Sequence, residues 1–483
     1  MSKGGYLLKN LGLLSLSNFG SKVLVFLLVP LYTSVLSTAD YGEFDIYSSA
    51  IQVLFPVLTL NISDAVMRFA LDRGGDAGQV VRIGVGLVSI GALIAVAGSA
   101  VLYATGILGS HGRYLGDACL YYVAYSAYHL MMQSARGLER VFDLAVAGLI
   151  NTGLILACNI VFLLVLGLGL DGFFMAYIVG SLVPAGFLLV RLRGKLLSRG
   201  MTLRNWELAS KMVVFAVPMG VAALGWWIVN LSGRFIVTAF CGADANGLYS
   251  VAYKIPGILS VVQVIFIQAW QISAVKEYDK SDSDGFFGKT FSLLSMGMIL
   301  GCSLLMTLCP FIADVLFQGE FYAAWRYVPF LLVAVALNVT SGLWDGIFAA
   351  KKDTKRLFTS TIAGGAVGVV LGMLLVQTAG IQGVTFSNFV ASFVIWLLLG
   401  RSVKDHIDTD FRIGRMVARY MALVAQAFAM IAGLPVLAAV VCDLAIFLLL
   451  LLSFRNEVGF ALGMLRRAFE GVRIRGSRRP RDG

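Results

Sequence analysis

The sequence has little charge and no long polar segment. Only 13% of its 483 residues are charged and 59% are hydrophobic, whereas soluble globular chains carry about 25% charged residues. Apolar runs of about 20 residues recur from end to end, and each is long enough as a helix to cross a hydrocarbon core of about 30 Å. These features exclude a soluble globular protein. They predict an all-α polytopic membrane protein, because only helices satisfy their own backbone groups in such runs.

The residues of common catalytic and metal sites are also scarce. The three histidines, His111, His129 and His406, are far apart in the chain, and the six cysteines include no CxxC spacing. Neither a metal cluster nor a Cys–His nucleophile pair is therefore indicated. No GxxxxGK[ST] motif occurs, which excludes a P-loop for nucleotide hydrolysis. We expect no metal, no cofactor and no enzyme activity.

Apolar runs between charged or turn-rich breaks predict about fourteen transmembrane helices. The predicted spans lie near residues 10–36, 42–67, 80–106, 115–135, 142–168, 171–190, 208–240, 245–275, 286–309, 322–349, 356–379, 381–400, 414–433 and 435–454.

Lysine and arginine are segregated between the connecting segments. With a cytoplasmic N-terminus, 33 of the 38 lie in inner segments and two, Arg113 and Arg326, lie in outer loops. Because cytoplasmic loops collect these residues, both termini are predicted to be cytoplasmic. The formal net charge of +11 is thus explained by topology, and no nucleic-acid partner is indicated.

Two short segments recur about 205 to 211 residues apart, six predicted spans later. GLDG at 169–172 resembles GIQG at 380–383, and STADYGEFDIYS from residue 37 resembles CGADANGLYSVAYK from residue 241. Because six is even, the two copies start on the same side of the membrane, as in parallel-repeat transporters. We expect two parallel-related six-helix lobes, 1–200 and 201–405, then helices 13 and 14 at 406–455 and a basic cytoplasmic tail at 456–483.

Two further patterns concern packing and the membrane surface. Gly364, Gly368 and Gly372 form a GxxxGxxxG face that favours close helix packing. Apolar residues of the tail fall on one helical face with arginines elsewhere, which is typical of a helix lying on anionic membrane lipids. A disordered basic tail is the alternative.

A family resemblance covers essentially the whole chain, and three stretches show it most clearly. They are VPLYTSVLSTADYGEFDIYSSAIQVLFPVLTLNISDAVMRFA (29–70), FAVPMGVAALGWWIVNLSGRFIVTAFCGADANGLYSVAYKIPGILSVV (215–262) and IQAWQISAVKEY (267–278). The sequence resembles the oligosaccharide-unit flippases of the multidrug/oligosaccharidyl-lipid/polysaccharide (MOP) exporter superfamily. One departure is Gly233, where members usually have an aspartate before the arginine that corresponds to Arg234.

The resemblance implies a fold and an activity. Two six-helix lobes would form a V, with helices 1, 2, 7 and 8 lining a cationic central cavity and helices 13 and 14 beside a lipid groove. The implied activity is movement of a polyprenyl-pyrophosphate-linked oligosaccharide from the cytoplasmic to the periplasmic leaflet of a bacterial inner membrane. A polysaccharide polymerase is a candidate partner. Energy would come from a Na⁺ or H⁺ gradient, the membrane potential or consumption of the product.

Three cations lie inside predicted spans 1, 7 and 8: Lys22, Arg234 and Lys254. A charge at the bilayer centre costs about 2.5–3.5 kcal/mol on insertion scales, so such residues usually face a bundle interior or a watery cavity. Snorkelling to the membrane surface is the alternative explanation for Arg234. We predict that the three cations bind the substrate. Three polar residues are added to this predicted substrate site. Asn18 shares a helical face with Lys22, and Asn230 shares one with Arg234. Gln52 belongs to a polar stripe along span 2.

Two carboxylates are candidates for ion coupling. Asp345 lies near the inner end of span 10, and Asp64 near the inner end of span 2. Asp64 is four residues before Arg68, so a structural ion pair is its alternative role.

Two other functions compete with the flippase. A multidrug exporter of the same superfamily is disfavoured, because a cationic cavity repels the usual cationic drugs. A membrane glycosyltransferase or polymerase needs a loop that carries its site, and the longest inner loop, about 191–207, is basic with one acidic residue.

The predicted topology places cysteines introduced at Ser110 and Ser198 on opposite sides of the membrane. A membrane-impermeant thiol reagent should label the first from the periplasm and the second from the cytoplasm only. Labelling of both from one side would contradict the topology.

Overall fold

The computed structural model describes residues 26, 28–71, 77–107, 109–196, 206–276, 279–283, 285–351, 353–432 and 436–459. Within these ranges the regular structure is helical, with short 3₁₀ segments at Gly109–Tyr114, Gly319–Tyr327 and Val403–Asp405. The α-helices of the described ranges are α1 (Val29–Val35), α2 (Thr38–Leu58), α3 (Ile62–Ala70), α4 (Ala77–Thr105), α5 (Leu115–Gly137), α6 (Val141–Asn159), α7 (Gly169–Leu196), α8 (Trp206–Ala252), α9 (Lys254–Lys276), α10 (Phe286–Leu316), α11 (Val328–Lys351), α12 (Thr354–Ser402), α13 (Ile413–Ile431) and α14 (Val436–Ser453).

The helices follow the predicted spans closely, and the all-helical multi-pass membrane fold is confirmed. Most predicted span ends lie within two helical turns of a helix end or a bend. In the described part of the chain, seven helices are long and apolar enough to cross a membrane, or eight if α2 and α3 together count as one. Of the first predicted span, 10–36, the part before residue 26 lies outside the described residues.

Two of the helices are too long to be single spans. Helix α8 has 47 residues and α12 has 49, which corresponds to roughly 70 Å each at 1.5 Å per residue. Both bend at a glycine with positive φ, Gly242 (φ 86°) and Gly380 (φ 55°). Such values are accessible to glycine without a steric cost. The bends lie where the sequence predicts the ends of spans 7 and 11.

The second predicted span is broken, so its prediction as one continuous helix is wrong. Helices α2 and α3 meet at an angle of 60°. Between them Leu60 and Asn61 adopt left-handed φ values of 52° and 53°. Pro56 lies in the last turn of α2 and has no N–H to continue the helical ladder. The N–H of Asn61 donates to the carbonyl of Pro56 at 3.0 Å and closes the turn.

The described residues form two compact units. The first holds the described residues up to Lys254 together with Val315–Ala323 and Val376–Ile381. The second holds Ile255–Asp314, Ala324–Leu375 and the described residues from Gln382 onward. Helix α8 thus belongs to the first unit. The predicted lobes follow the sequence repeat instead, and they stay a prediction.

The predicted glycine face packs within the second unit. A Cβ at Gly364 would lie 2.3 Å from Cγ1 of Ile395, and one at Gly368 would lie 2.8 Å from Cβ of Ala391. The first half of α12 therefore packs on the half after Gly380, with glycine at the contact. A larger side chain at Gly364 has no room unless the two halves separate.

We expect Gly364→Val to lower the stability of the folded protein by about 1–3 kcal/mol, the usual cost of overpacking. Thermal unfolding in detergent, followed by tryptophan fluorescence, would measure the change. Gly86→Val is the matched control, because a Cβ at Gly86 in α4 has nothing within 4 Å. Equal melting of the two variants would show that close packing at Gly364 contributes nothing.

Candidate functional site

Arg234 of α8 forms an ion pair with Asp45 of α2. Its Nε lies 2.8 Å from Oδ2 of Asp45, and the side chains are 20% and 18% exposed. The same carboxylate oxygen accepts hydrogen bonds from Ser250 Oγ at 2.6 Å and Asn246 Nδ2 at 3.4 Å. Gly233 leaves Arg234 without a carboxylate next to it in sequence. The structure supplies one from a different helix.

The guanidinium of Arg234 retains donor capacity. Its buried Nε is close to Asp45, but the N–H is not aligned to donate a hydrogen bond to a described acceptor. The Cζ atom lies 5.5 Å from the centre of the Tyr253 ring, a cation–π arrangement. Charge attraction and an aromatic face therefore hold the group. A planar fork of N–H donors held in this way suits a carboxylate or phosphate ligand.

Lys254, the first residue of α9, lies close to α2 one helical turn before Asp45. Its Nζ lies 5.7 Å from the ring centre of Tyr41, four residues before Asp45. Tyr41 packs edge-on against Phe321 with ring centres 5.9 Å apart. Residues four apart share a helical face. One face of α2 thus meets two cations, one over an aromatic ring and one beside a carboxylate.

Helices α2 and α8 touch through their backbones near these residues. A Cβ at Gly42 would lie 1.9 Å from the carbonyl oxygen of Ala243, and one at Gly247 would lie 2.0 Å from that of Thr38. No side chain fits at either position without moving a helix. Gly42 and Gly247 are equivalent positions of the repeat, and so are Thr38 and Ala243. The members of each pair are 205 residues apart, as are Asp45 and Ser250. The two close approaches are therefore related by the repeat.

Polar contacts accompany the backbone contact. Thr38 Oγ1 donates to Asp244 Oδ1 at 2.9 Å, and the buried Asn246 donates from Nδ2 to the carbonyl of Gly42 at 2.9 Å. Together with the Ser250 bond to Asp45, they join α2 to the part of α8 that follows its bend. These are the two segments whose sequences resemble each other. The sequence repeat therefore marks the two segments that form this contact. It does not predict that the two copies pack on one another.

The other residues predicted for the substrate site are placed differently. Lys22 and Asn18 lie outside the described residues. Asn230 is exposed on α8, one turn before Arg234. Gln52 is half-buried, and its Nε2 donates to the carbonyl of Ser48 in its own helix at 3.2 Å. The structure brings Arg234 and Lys254 to one face of α2. The role of all six residues stays a prediction.

The two candidate coupling carboxylates also differ in their surroundings. Asp64 accepts hydrogen bonds from Asn61 Nδ2 and Gln133 Nε2, both at 2.8 Å. Asp345, in the second unit, has no hydrogen bond or ion pair to a described residue. Among the described residues, no group of three or more His, Cys, Asp or Glu side chains could hold a metal ion.

The tyrosines of predicted span 4 belong to an aromatic cluster in the first unit. Tyr121 stacks on Phe44 with ring centres 6.1 Å apart, and Tyr125 packs edge-on against Phe55 at 5.5 Å. Tyr121 and Phe44 are buried, at 7% and 6% exposure. Tyr121 therefore packs inside the first unit.

The profile of the polysaccharide biosynthesis protein family matches residues 7–271, more than half of the chain. The chain belongs to this family. A comparison with curated protein sequences gives no significant match. The family assignment and the fold comparisons below confirm the resemblance seen in the sequence.

The fold of this chain is similar to those of solved transporters. The lipid II flippase MurJ, in an inward closed conformation, aligns with 92% of this chain and 99% of its own at a TM-score of 0.67 and 13% identity. An inward-facing multidrug resistance MATE transporter of the MOP superfamily aligns over 84% and 96% at 0.63 and 18%. A MOP superfamily transporter from Pyrococcus furiosus aligns over 82% and 96% at 0.56 and 16%. At these identities the likeness establishes the MOP fold.

The ion pair predicts non-additive effects on stability. Asp45→Asn and Arg234→Gln should each destabilise the protein by about 1–3 kcal/mol, because each leaves a partly buried charge without its partner. The double variant should lose less than the sum, as measured by thermal unfolding in a double-mutant cycle.

Glu207→Gln is the control for this cycle, because Glu207 pairs with Lys211 on the exposed surface of the same helix. It should leave the melting temperature unchanged, since exposed pairs contribute little. Strict additivity of the Asp45 and Arg234 variants would show that the pair does not stabilise the fold.

Proposed function

We propose that the protein is a flippase that moves a polyprenyl-pyrophosphate-linked oligosaccharide from the cytoplasmic to the periplasmic leaflet for surface polysaccharide synthesis. The observation that carries this proposal is the meeting of Arg234 and Lys254 on one face of α2 in a member of a polysaccharide biosynthesis family. The lipid II flippase MurJ, whose fold the chain shares, supports it. The proposed location is the bacterial inner membrane, with both termini in the cytoplasm.

The pyrophosphate is the part of the substrate that the two cations would bind. A pyrophosphate diester carries about two negative charges, which need compensation where water is scarce. Arginine engages phosphate through its fork of donors, and lysine supplies a compact charge. Since Asp45 occupies Arg234 in this structure, the phosphate would take the place of that carboxylate. Asp45 would keep its hydrogen bonds from Ser250 and Asn246.

The remaining predicted residues complete the proposed site. Lys22 and Asn18 would add a charge and an amide from span 1, while Asn230 and Gln52 would contact the head group or the first sugars. The two lobes would rock around this site in alternating access, with membrane lipids around them. A polysaccharide polymerase would consume the product. We propose transport without covalent catalysis.

A multidrug exporter is the second candidate, because MATE transporters share the fold. The charges of the site argue against it. Arg234 and Lys254 lie at the face of α2 that presents Asp45, two cations to one carboxylate, and a cationic drug would be repelled by the surplus charge. A proteoliposome assay separates the two functions, since a flippase would translocate a fluorescent lipid-linked oligosaccharide and would leave ethidium unmoved. Ethidium efflux without lipid flipping would favour the exporter.

Neutralising the cations tests the substrate site. Arg234→Gln, Lys254→Gln and Lys22→Gln should each reduce polysaccharide export about 10- to 100-fold, because each removes a charged hydrogen bond worth about 1.5–3 kcal/mol. Arg234→Lys should be milder, since it keeps the charge. Export would be measured in cells that depend on this protein, at equal amounts of folded protein.

Lys211→Gln is the control for these variants, because Lys211 is exposed and pairs with Glu207. It should export like the parent. Parental export by all three Gln variants would refute the cationic site and favour snorkelling or helix packing as the reason for these residues.

A further inference from the structure

A polar cluster surrounds the break between α2 and α3. Asp64 lies in the first turn of α3, and each of its carboxylate oxygens accepts one amide N–H, from Asn61 and from Gln133 of α5, at 2.8 Å. Gln133 Oε1 accepts in turn from Arg136 Nη1 at 3.1 Å. Arg136 is exposed near the end of α5. A chain of hydrogen bonds thus leads from an exposed cation to a carboxylate at a broken helix.

The break is closely packed by other helices of the first unit. A Cβ at Gly91 of α4 would lie 2.6 Å from the carbonyl oxygen of Leu58, and one at Gly220 of α8 would lie 3.0 Å from Cβ of Asn61. Asn61 is 4% exposed and Ser63 is fully buried. Broken helices in transporters commonly form binding sites for substrates and coupling ions.

Two buried polar atoms at this place have no hydrogen-bond partner in the described part of the chain, Ser63 Oγ and His129 Nδ1. His129 lies one turn before Gln133 on α5 and shares its face. Its ring packs edge-on against Phe55 of α2, with centres 4.7 Å apart. The charged groups near it are Asp64 of α3 and Arg136 of its own helix. Buried polar atoms normally have partners, so an unpartnered imidazole nitrogen calls for a ligand.

We propose that His129 and Asp64 form a proton-binding site at the break in span 2, separate from the Arg234 and Lys254 site. A proton donated by hydronium bonds to the free ring nitrogen of His129 and leaves water, and the imidazolium is compensated by the Asp64 carboxylate. The ligand set argues for a proton over a metal cation. Two amide nitrogens face the carboxylate and the open group is an imidazole, whereas hard cations take oxygen ligands.

The position of the site gives the proton a structural consequence. Helix α2 carries Tyr41 and Asp45 toward one end and the break at the other. A charge that appears at His129 attracts Asp64 and competes with the bonds that Asp64 accepts from Asn61 and Gln133 beside the bend. Proton binding thereby changes the helix that presents Asp45 to Arg234. Its use in coupling rests on the proposed flippase function, but binding itself does not.

Proton binding is measured directly on the full-length protein in lipid nanodiscs. The chain has three histidines, so ¹⁵N-histidine spectra are simple, and His111→Gln and His406→Gln assign the signals. His129 should take up one proton between about pH 4 and pH 9. In Asp64→Asn this step should move to lower pH by about 1 pH unit, because the compensating charge is gone. Glu207→Gln, which alters an exposed carboxylate of α8, should leave it unchanged.

The proposal is overturned if His129 takes up no proton in this range, or if Asp64→Asn titrates like the parent. These spectra need no substrate, so they stand even if the flippase proposal fails.

Coupling is tested with proteoliposomes that contain a fluorescent lipid-linked oligosaccharide. An imposed pH gradient should change the parent's flipping rate several-fold, and His129→Gln and Asp64→Asn should lose this response while Glu207→Gln, which alters an exposed carboxylate of α8, keeps it. Dependence on sodium alone, or an unchanged response in Asp64→Asn, would overturn coupling through this site. Absence of flipping at every pH, with the His129 titration intact, would refute the proposed function and leave the proton site standing.

Discussion

The compensation of the half-buried Arg234 is the interaction on which the candidate site depends. A guanidinium cannot shed its charge, so in an apolar environment it needs a partner. Arg234 finds Asp45 on another helix, because α2 and α8 approach until their backbones touch at Gly42 and Gly247. Side chains at these glycines would separate the helices and remove the carboxylate from the arginine. The ion pair between Asp45 and Arg234 therefore requires glycine at positions 42 and 247.

The internal repeat gives this contact its form. Glycines at equivalent positions each meet the backbone of the other copy, so the surface is self-complementary, as in a symmetric dimer. The two copies differ at the position that faces Arg234. Asp45 and Ser250 occupy equivalent positions, and the serine hydroxyl donates to the carboxylate at 2.6 Å. Two carboxylates here would repel one another, and two serines would leave Arg234 without a compensating charge.

The sequence predicts the helices well because each span is an apolar run that ends in a charged or glycine-rich break. It missed the break at residues 59–61, since the apolar run continues through Pro56 and a proline alone does not decide between a kink and a break. It also missed the Asp45–Arg234 pair. Neither residue has a neighbour in sequence that reveals the other, because the contact depends on how α2 packs on α8. The recurrence of two segments indicated a duplication and carried no information on their pairing.

An arginine that is already paired suits the proposed substrate better than an unoccupied one. A bare cationic site would bind a pyrophosphate tightly, and slow release would limit export. When the phosphate displaces Asp45, the gain from the new contact is reduced by the loss of the old one, so the net affinity stays moderate. The charge also stays small throughout. Arg234, Lys254 and Asp45 sum to one positive charge without substrate, and to about one negative charge with the dianion. A small net charge lowers the electrostatic cost of exposing the site first to one side of the membrane and then to the other.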